Sequence, residues 1–423
     1  MKKERKRLLF ISTRAFWRMD GGHQYEIYHY LRGLSEQYHY EIYIYTFVED
    51  EKSDNQSGIP VYVNEVQFAW PITKIDILKN IIVHLFDFSN PWPLQATLFY
   101  SKKNSRALKI YIDRIQPDVI YVDMVRLATY IHVFDDSQYV KVLGYDDLLS
   151  ERYKRQIDTG SSSSNVAGAY TDRLPSVISK LQKLKILKNL VLSFEAKRIA
   201  RSEIYYAGKY DSSIFVSAIE TKKFNDKLGR EMAYTVSMGI DYAYQSEKLD
   251  VESIPNSVSY VGNMKTAANY ETVIFIIDEV LPNIQSECIF YVIGACPEDL
   301  KQKYKELKNI IFTGRVDDLR TSIKATTVFL SPIAFGTGIK TKILEAFAMG
   351  MPVVTNSIGI EGIEADHGIH CCIADRPIEI ARYVDELLMN QAYREGLGYN
   401  AQRLAREKYQ WEENWKGFAK AGF

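Results

Sequence analysis

The alternation of short apolar strands with helical stretches is the feature that most constrains how this chain folds. In the second half of the chain, five such strands follow one another, with helical spacing after each: SVSYVGNM, CIFYVIGA, NIIFTGRV, TVFLSPI and PVVTN. Helices between consecutive strands cover both faces of a sheet, and strands connected in this way run parallel. The sequence therefore predicts an α/β fold with a doubly wound parallel sheet in residues 257–403.

A similar alternation in the first half predicts a second unit of the same kind. Strands are expected at 8–13, 40–47, 117–123, 139–147 and 212–218, with a helix at 25–34 and a helical stretch from 48 to about 111. The predicted division of the chain is an N-terminal unit at 1–243, a linker at 244–256, a C-terminal unit at 257–403 and a last helix at 404–423 that crosses back to the N-terminal unit. Two such units in tandem predict a cleft between them.

Composition limits the class of protein further. Lysine plus arginine equals aspartate plus glutamate, 53 each, so the charge does not indicate a nucleic-acid binder. The four cysteines have no metal-ligand spacing, and so few in a long chain indicate a reducing compartment. The most apolar long stretch, 72–90, contains four charged residues, which argues against a membrane span. A soluble cytoplasmic protein is expected.

One stretch, AFGTGIKTKILEAFAMGMPVV at 334–354, combines glycines, lysines and a glutamate between two strands. It predicts a strand-to-helix turn whose amides and positive helix end face an anion. The stretch lacks the Gly-Lys-Ser/Thr of a Walker A loop and the third glycine of the dinucleotide fingerprint. Lys340 and Lys342 are able to bind phosphate, and Glu345 is able to accept the hydroxyls of a ribose. On spacing alone, a solvated helix start remains an equal alternative.

The run TGRV…FLSPIAFGTGIKTKILEAFAMGMPVVTNSIGIEGI closely resembles the nucleotide-sugar half of retaining GT-B glycosyltransferases of the group 1, or family-four, type. The resemblance covers residues from about 258 to the end, whereas the N-terminal half is similar in layout only. It implies two Rossmann-like units, with the donor on the C-terminal unit and the acceptor on the N-terminal one. The chain looks most like bacterial enzymes of capsule, exopolysaccharide or lipopolysaccharide synthesis. No cofactor or metal is expected, and the Asp-x-Asp of metal-using GT-A enzymes is absent from the sequence.

The resemblance assigns donor binding to Gly21, Gly22, Gly314, Arg315, Thr337, Gly338, Ile339, Lys340, Lys342 and Glu345. Glu345 matches the ribose-binding glutamate, and Gly338 and Ile339 match the backbone that lies against the donor phosphates and sugar. Gly314 and Arg315 fall at the base-binding strand end. Gly21 and Gly22 match a loop that closes over the diphosphate, although a simple tight turn explains them as well.

The chain departs from the family at positions that carry charge. Many relatives have a glutamate where this chain has Thr337, and an arginine and a lysine where it has Asn263 and Asn269. A diphosphate leaving group still requires positive charge as its bond to the sugar breaks. Lys340 and Lys342 are the replacements that we expect, and Lys340 is accordingly predicted to be catalytic as well as donor-binding.

Aspartates end two strands of the N-terminal half. Where the family often has a histidine, this chain has Asp123, which is predicted to be catalytic by orienting a sugar hydroxyl; a helix cap is the alternative. Asp146 and Asp147 end the next strand with the same two interpretations. His23 is expected to line the cleft or the surface rather than to act as a base.

The function that the resemblance implies is transfer of a sugar, with retention, from a nucleoside-diphosphate donor to a saccharide or lipid-linked saccharide acceptor. Two alternatives remain open: a sugar-nucleotide epimerase of the same fold, and a non-catalytic partner in a polysaccharide-assembly complex. Neither the donor nor the acceptor is specified by the sequence.

A basic segment indicates a possible site of action. Residues 176–201 hold seven lysines and arginines against one glutamate, and apolar residues recur there at helical spacing. A basic amphipathic helix of this kind suits the anionic inner face of the plasma membrane. An ordinary helix with its leucines in the core and its lysines solvated is the competing interpretation.

Overall fold

The computed structural model describes residues 5–18, 22–47, 57–85, 92–135, 138–158, 185–336 and 338–423. Contacts divide the chain into two compact units, the first formed by Met1–Ser237 with Trp415–Phe423 and the second by Met238–Asn414. Each unit contains one parallel sheet with helices, which confirms the predicted α/β class with two Rossmann-like units.

The first unit has a seven-stranded sheet in the order β3-β2-β1-β4-β5-β6-β7. The strands are β1 Arg7–Ser12, β2 Glu41–Thr46, β3 Val63–Phe68, β4 Val119–Asp123, β5 Val140–Asp146, β6 Ser212–Phe215 and β7 Ala233–Thr235. The α-helices are Gly22–Glu36, Lys74–Leu85, Leu94–Thr97, Lys102–Ile115, Leu149–Asp158, Lys185–Ala207, Ala218–Leu228 and Gly417–Lys420, and 3₁₀ turns lie at Phe16–Arg18 and Ala128–Val133. Strand order reverses between β1 and β4, and the carboxyl ends of strands at such a point are where doubly wound sheets bind ligands.

The second unit has a six-stranded sheet in the order β10-β9-β8-β11-β12-β13. The strands are β8 Ser257–Val261, β9 Ile289–Ile293, β10 Ile310–Gly314, β11 Val328–Ser331, β12 Val353–Thr355 and β13 Cys372–Ile373. The α-helices are Tyr242–Ser246, Ala267–Phe275, Glu298–Lys303, Leu319–Lys324, Thr341–Ala348, Pro377–Met389, Gln391–Lys408 and Trp411–Asn414, with a π-helical turn at Ile276–Val280 and a 3₁₀ turn at Leu281–Asn283. Here the order reverses between β8 and β11.

The central strands account for the continuous apolar runs in the sequence. Every residue of β4 and of β8 is buried, because helices cover both faces of each sheet. The peripheral strand β3 differs, since its residues are exposed or half-buried and half of them are polar. The prediction of a helical stretch from 48 to about 111 was therefore wrong at β3, where a half-solvated edge strand lacks the apolar run of a central one.

The predicted linker at 244–256 differs from the structure. The second unit begins at Met238, and residues of this segment pack against it. The amide of Ile254 donates to the carbonyl of Ala325 at 2.7 Å, and the Arg320 guanidinium donates to the carbonyl of Tyr244 at 2.6 Å. Polar composition hid these attachments, because the segment is fixed by hydrogen bonds rather than by a periodic apolar face.

The predicted helix at 404–423 is replaced by three shorter pieces. The helix Gln391–Lys408 ends inside this range, and two single turns follow at Trp411–Asn414 and Gly417–Lys420. Trp415 begins the segment that belongs to the first unit, and its indole lies directly over Gly33. A Cβ at Gly33 would lie 2.4 Å from the Trp415 ring, so the absence of a side chain there lets the segment dock.

None of the helices in the described ranges has both the length and the apolar content that a membrane crossing requires.

The contact between Gly33 and Trp415 predicts an asymmetric response of two helical glycines. Gly33→Ala forces the indole away from its position, and we expect it to lower the free energy of unfolding by about 1–3 kcal/mol. Gly396 lies in the helix Gln391–Lys408 with open space around it, so Gly396→Ala is expected to raise stability by about 0.5–1 kcal/mol. Chemical denaturation of both variants measures the difference. Equal effects of the two substitutions would contradict the packing of Trp415 on Gly33.

Candidate functional site

The loop between β11 and the helix Thr341–Ala348 lies at the carboxyl edge of the second sheet, beside the reversal of strand order. Two side chains fix its first residues. The Asn356 side chain accepts from the amide of Ile333 and donates to its carbonyl, both at 2.9 Å. Thr272 Oγ1 accepts from the amide of Ala334 at 3.1 Å. The loop therefore leaves the sheet along a fixed path toward the helix.

Gly338 reverses the chain just before this helix. Its φ of 69° lies in the left-handed region, where a glycine avoids the strain that a Cβ would cause. Ile339 follows and packs against the apolar cluster beneath the helix. Thr337, which was expected to take part in donor binding, lies outside the described residues.

Lys340 and Lys342 occupy different environments around the helix start. Lys340 stands at the N-cap position, and its ammonium donates a hydrogen bond to the carbonyl of Gly338. Lys342 reaches back toward the end of β8, where its ammonium donates to Tyr260 Oη at 3.0 Å and to Asn269 Oδ1 at 2.8 Å. It also lies 4.4 Å from the centre of the Tyr260 ring.

Asn269 is the position where the resemblance led us to expect a lysine. Its amide now receives the Lys342 ammonium, while its own nitrogen donates to the carbonyl of Asn263 at 3.1 Å. The positive charge at this point of the sheet edge thus comes from the helix Thr341–Ala348 instead of the turn after β8.

Burial changes the acid–base properties of this group of side chains. Desolvation lowers the pKa of Lys342 to about 7, with the neighbouring Lys340 adding to the decrease and Glu345 opposing it. Desolvation raises the pKa of Glu345, and Lys342 opposes that rise. Both side chains are half-buried and lie three residues apart, so they share one side of the helix. An anionic ligand would favour the charged form of Lys342.

Glycines end three neighbouring strands at the same edge. The amide of Gly262 donates to the carbonyl of Ile293 at 3.0 Å, and the amide of Gly294 donates to that of Gly314 at 2.9 Å. A Cβ at Gly294 would lie 2.1 Å from the Gly262 carbonyl oxygen, so only glycine fits there. The result is a flat edge without side chains. Arg315 follows Gly314 at its far end and is exposed.

The two parts of the predicted donor site are separated within the sheet. β10, which ends at Gly314, lies three strand spacings from β11, which leads into the loop at Gly338. At about 4.8 Å per spacing the separation is roughly 14 Å. A ligand that touches both parts must therefore be elongated along the sheet edge.

A second group of titratable side chains lies at the carboxyl edge of the first sheet. His23 Nε2 is 3.0 Å from Asp123 Oδ1, at the end of β4. His23 Nδ1 is 3.7 Å from Glu26 Oε2 and 3.5 Å from Asp146 Oδ2, at the end of β5. Glu26 and Asp123 are buried, whereas His23 and Asp146 are half-buried. One imidazole thus faces three carboxyl groups.

The backbone on both strands of this group is unusual. Met124, which follows Asp123, has a φ of 67°, and Asp146 itself has a φ of 62°. Non-glycine residues in this region cost of order 1–3 kcal/mol each and cluster at functional sites. The positive φ of Asp146 accompanies a shift of register between β5 and β6. These turns aim both carboxylates at His23.

The carboxylates hold His23 in its charged form. Burial opposes charging, but the ion pair and hydrogen bond with Asp123, supported by Glu26 and Asp146, raise the pKa of His23 well above its usual value. Desolvation, with the charge of Asp146, raises the pKa of Glu26 to about 8. Desolvation also raises the pKa of Asp146.

Histidine and carboxylate side chains are also common metal ligands. His23, Glu26 and Asp146 offer ligand atoms that lie within 4.8 Å of one another, a group of a kind that holds metal ions. A ligating imidazole must be neutral, whereas His23 is stabilised as an imidazolium. A metal ion bound by this group would therefore have to displace the imidazolium proton.

The remaining candidates of the first unit have simpler environments. Asp147 is buried and pairs with Arg152, whose Nε donates to it at 2.8 Å, so its role is structural. Gly22 begins the helix Gly22–Glu36, and a Cβ there would meet no atom within 4 Å. Gly21 lies outside the described residues, as do residues 176–184 of the basic segment.

Sequence reasoning missed Glu26 and the pairing of His23 with Asp123. The feature that could have revealed this group is the order of the strands in the first sheet. A glycine turn after β1 starts the helix that carries His23 and Glu26, and β4 lies next to β1, so these residues meet at one sheet edge. No spacing along the chain shows this, because 100 residues separate His23 from Asp123.

Parts of the chain are similar in sequence to known proteins. Residues 255–390 match the family model described as glycosyl transferases group 1. An uncharacterized 44.6 kDa protein in the cps region of Klebsiella pneumoniae is 22% identical over 235 residues, which are 53% of this chain and 59% of that protein. An uncharacterized glycosyltransferase of Methanocaldococcus jannaschii is 25% identical over 170 residues, 38% of this chain and 43% of that protein. The matches thus span about half the length of these relatives.

Solved structures resemble the whole chain. Sucrose-phosphate synthase from Thermosynechococcus elongatus superimposes with a TM-score of 0.68 at 15% identity, covering 98% of each chain. The Anabaena protein HepE in complex with UDP-glucose gives a TM-score of 0.66 at 12% identity, again covering 98% of each chain. At these identities the likeness establishes the fold. The chain has the GT-B fold, built from two parallel-sheet Rossmann-like units, and its residues 255–390 match the glycosyl transferases group 1 family.

Proposed function

We propose that this protein is a glycosyltransferase that moves a sugar from a nucleoside-diphosphate donor to a saccharide or lipid-linked saccharide acceptor, with retention. The observation that carries the proposal is the position of the Lys342 ammonium, beside Asn269 and at the edge of the second sheet. It supplies a positive charge, which a diphosphate requires, beside the position where the resemblance led us to expect a lysine. Glu345, on the same helix, is the proposed partner of the ribose.

The dimensions of the sheet edge support an elongated donor. A nucleoside diphosphate sugar is long enough to place its base near Gly314 and Arg315 and its diphosphate near Gly338 and Lys342. The flat glycine edge between them leaves room for the ribose. HepE, which shares the fold, is described in complex with UDP-glucose, a ligand of this shape.

The proposed chemistry is a front-face displacement. The bond between the sugar and the β-phosphate oxygen breaks, a bond to the acceptor oxygen forms on the same face, and the departing phosphate takes the acceptor proton. The nucleoside diphosphate leaves with that proton. Lys340, Lys342 and the amides at the helix start stabilise the negative charge that develops on the leaving group.

The group around His23 is the proposed hydroxyl-binding part of the enzyme. Carboxylate oxygens accept hydrogen bonds from sugar hydroxyls, and His23 orients the Asp123 carboxylate by their 3.0 Å contact. Asp123 thereby keeps the role expected from the sequence, while His23 serves as its positioning residue. No cofactor or metal is part of the proposed mechanism.

The proposed setting is bacterial surface-polysaccharide synthesis in the cytoplasm, at the inner face of the plasma membrane. The cps-region relative supports this setting. The epimerase alternative predicts an altered sugar nucleotide without an acceptor. The non-catalytic alternative has less support, because the strained and charged group around His23 is costly to keep without a use.

A donor and acceptor screen tests the proposed activity. UDP-, GDP- and dTDP-sugars are each incubated with the protein and with saccharide acceptors, and we expect release of one nucleoside diphosphate only when an acceptor is present. Asp123→Asn and His23→Gln are expected to lower kcat by 10²-fold or more, with the dissociation constant of the nucleoside diphosphate unchanged. EDTA is expected to leave turnover intact. Turnover that requires a divalent metal, or epimerised donor without acceptor, would refute the proposal.

Lys342 predicts a pH dependence of diphosphate binding. In the free protein its pKa is about 7, and a bound diphosphate favours the ammonium, so binding above pH 7 requires uptake of a proton. Between pH 7 and 9, where the diphosphate is fully ionised, we expect the affinity for UDP to fall as the pH rises, by up to about tenfold per pH unit. Isothermal titration calorimetry in buffers of different ionisation enthalpy measures both the affinity and the proton uptake.

Substitutions of Lys342 separate its charge from its packing. Lys342→Met removes the charge and is expected to weaken UDP by about 1.5–3 kcal/mol while leaving uridine nearly unaffected. Lys342→Arg keeps a charge that does not titrate, so its UDP affinity should be nearly flat with pH. A wild-type affinity that does not change across this pH range would show that Lys342 does not contact the diphosphate.

Glu345 predicts recognition of the ribose hydroxyls. Glu345→Ala is expected to weaken UDP by about 1.5–3 kcal/mol, while 2′,3′-dideoxy-UDP binds the variant and the wild type equally. Glu395→Ala, at an exposed position on the helix Gln391–Lys408, serves as the matched control. Equal weakening of both nucleotides by Glu345→Ala would place Glu345 away from the ribose.

A further inference from the structure

The helix Lys74–Leu85 of the first unit carries aliphatic side chains on its exposed side as well as on its buried side. Ile75, Ile82 and Val83 are exposed to 66%, 61% and 64%, and Leu78 is exposed as well. Positions 75, 78 and 82 follow helical spacing and lie on one face. No other helix in the described parts of the chain shows more than two large apolar side chains exposed. The apolar face is therefore a local feature and not a general property of the surface.

The inward side of the same helix is anchored firmly. Ile77 and Ile81 are buried in the core of the first unit. Asn80 donates from its side-chain nitrogen to the carbonyls of Thr97 at 3.0 Å and Tyr100 at 2.8 Å. Both the buried isoleucines and the Asn80 amide thus attach the helix to the protein, while Ile75, Leu78, Ile82 and Val83 stay outside. Rotation of the helix to bury those residues would break these hydrogen bonds.

Cations and an aromatic ring surround the exposed face. Lys74 and Lys79 are exposed on the helix, and Lys79 lies between the aliphatic side chains. Trp70 precedes the helix and is exposed, and the Lys103 ammonium lies 3.4 Å from the centre of its ring. Asp76 is the one acidic residue of the helix, and it is bound to the hydroxyl of Thr73 at 2.7 Å.

We propose that the face formed by Trp70, Ile75, Leu78, Ile82 and Val83 docks on an anionic lipid bilayer, and we name it the apolar face. Aliphatic side chains enter the acyl boundary, tryptophan favours the headgroup level, and lysines extend to the phosphates. A protein partner of the same shape would not benefit from a lysine in the centre of its contact. The inference gives the proposed membrane location a surface. The basic segment 176–201 adjoins it, because Arg198 donates to the carbonyl of His84 at 2.6 Å, but its lysines are not part of the apolar face.

The inference rests on the proposed function only for the biological role of membrane binding. Binding to vesicles itself requires neither donor nor acceptor. The experiment is sedimentation of the full chain with vesicles of phosphatidylglycerol and phosphatidylethanolamine, at low and high salt. We expect binding at low salt that weakens at high salt, and much weaker binding to phosphatidylcholine vesicles. Loss of turnover with intact vesicle binding would refute the proposed activity alone.

Two matched double variants assign the binding to the apolar face. Ile75→Asp with Ile82→Asp is expected to lower the partition coefficient at least tenfold, without a change in the thermal midpoint, because both side chains are exposed. Ile219→Asp with Ile378→Asp replaces two exposed isoleucines on other helices and should bind as the wild type does. Lys74→Gln with Lys79→Gln should reduce both the binding and its dependence on salt.

Three outcomes would overturn the inference. The first is no binding to phosphatidylglycerol vesicles at low salt. The second is unchanged binding of the Ile75 and Ile82 variant, with loss of binding when Lys180, Lys183, Lys185 and Lys188 become glutamine, which would assign docking to the basic segment. The third is self-association that this isoleucine variant abolishes, without vesicle binding, which would make the face a contact between copies of the chain.

Discussion

The reversal of strand order in each parallel sheet is the constraint on which both candidate sites depend. Where the strand order reverses, the connections that follow the two neighbouring strands leave in opposite directions. This leaves a gap at the carboxyl ends of these strands, and the loops on either side place residues in it. In the first sheet the reversal between β1 and β4 brings a helix start and a strand end together at His23 and Asp123. In the second sheet, the reversal between β8 and β11 brings together Asn269 and Lys342, which lie on the helices that follow these two strands. Residues distant in sequence thereby meet without any local motif.

At the second site, the positive charge lies where the fold places the Lys342 side chain, not at the sequence positions where the resemblance led us to expect cations. The turn after β8 has asparagines where cations are expected from the resemblance, which viewed alone indicates a lost phosphate site. The Lys342 side chain reaches this place from another helix and forms hydrogen bonds with Asn269, on the helix after β8, and with Tyr260 of β8 itself. Desolvation destabilises the charged ammonium in this position when no ligand is bound, and this lowers the pKa of Lys342.

Periodicity predicted the buried strands and the apolar, partly buried β9 and β10, and it missed the short strands and the polar edge strand β3. The buried strands β4 and β8 have uninterrupted apolar sequences, whereas β3 is half-solvated and β7 and β13 have three and two residues. The loop before the helix Thr341–Ala348 was predictable because glycines, lysines and the glutamate lie within one short stretch. The role of Glu26 was not, since a buried acid on a helix gives no signal until its neighbours on other strands are known.

The two charged groups are complementary in chemistry. Around Lys342 a partly desolvated cation lacks a full counter-charge, so an anion gains most from binding there. Around His23 three carboxyl groups share one imidazolium, so acceptor oxygens are in excess and a further anion would be repelled. Such a group is suited to hydroxyl donors, which supply hydrogen bonds without adding negative charge. The two units therefore differ in the ligand chemistry that each accommodates, an anion beside Lys342 and neutral hydroxyl groups beside His23.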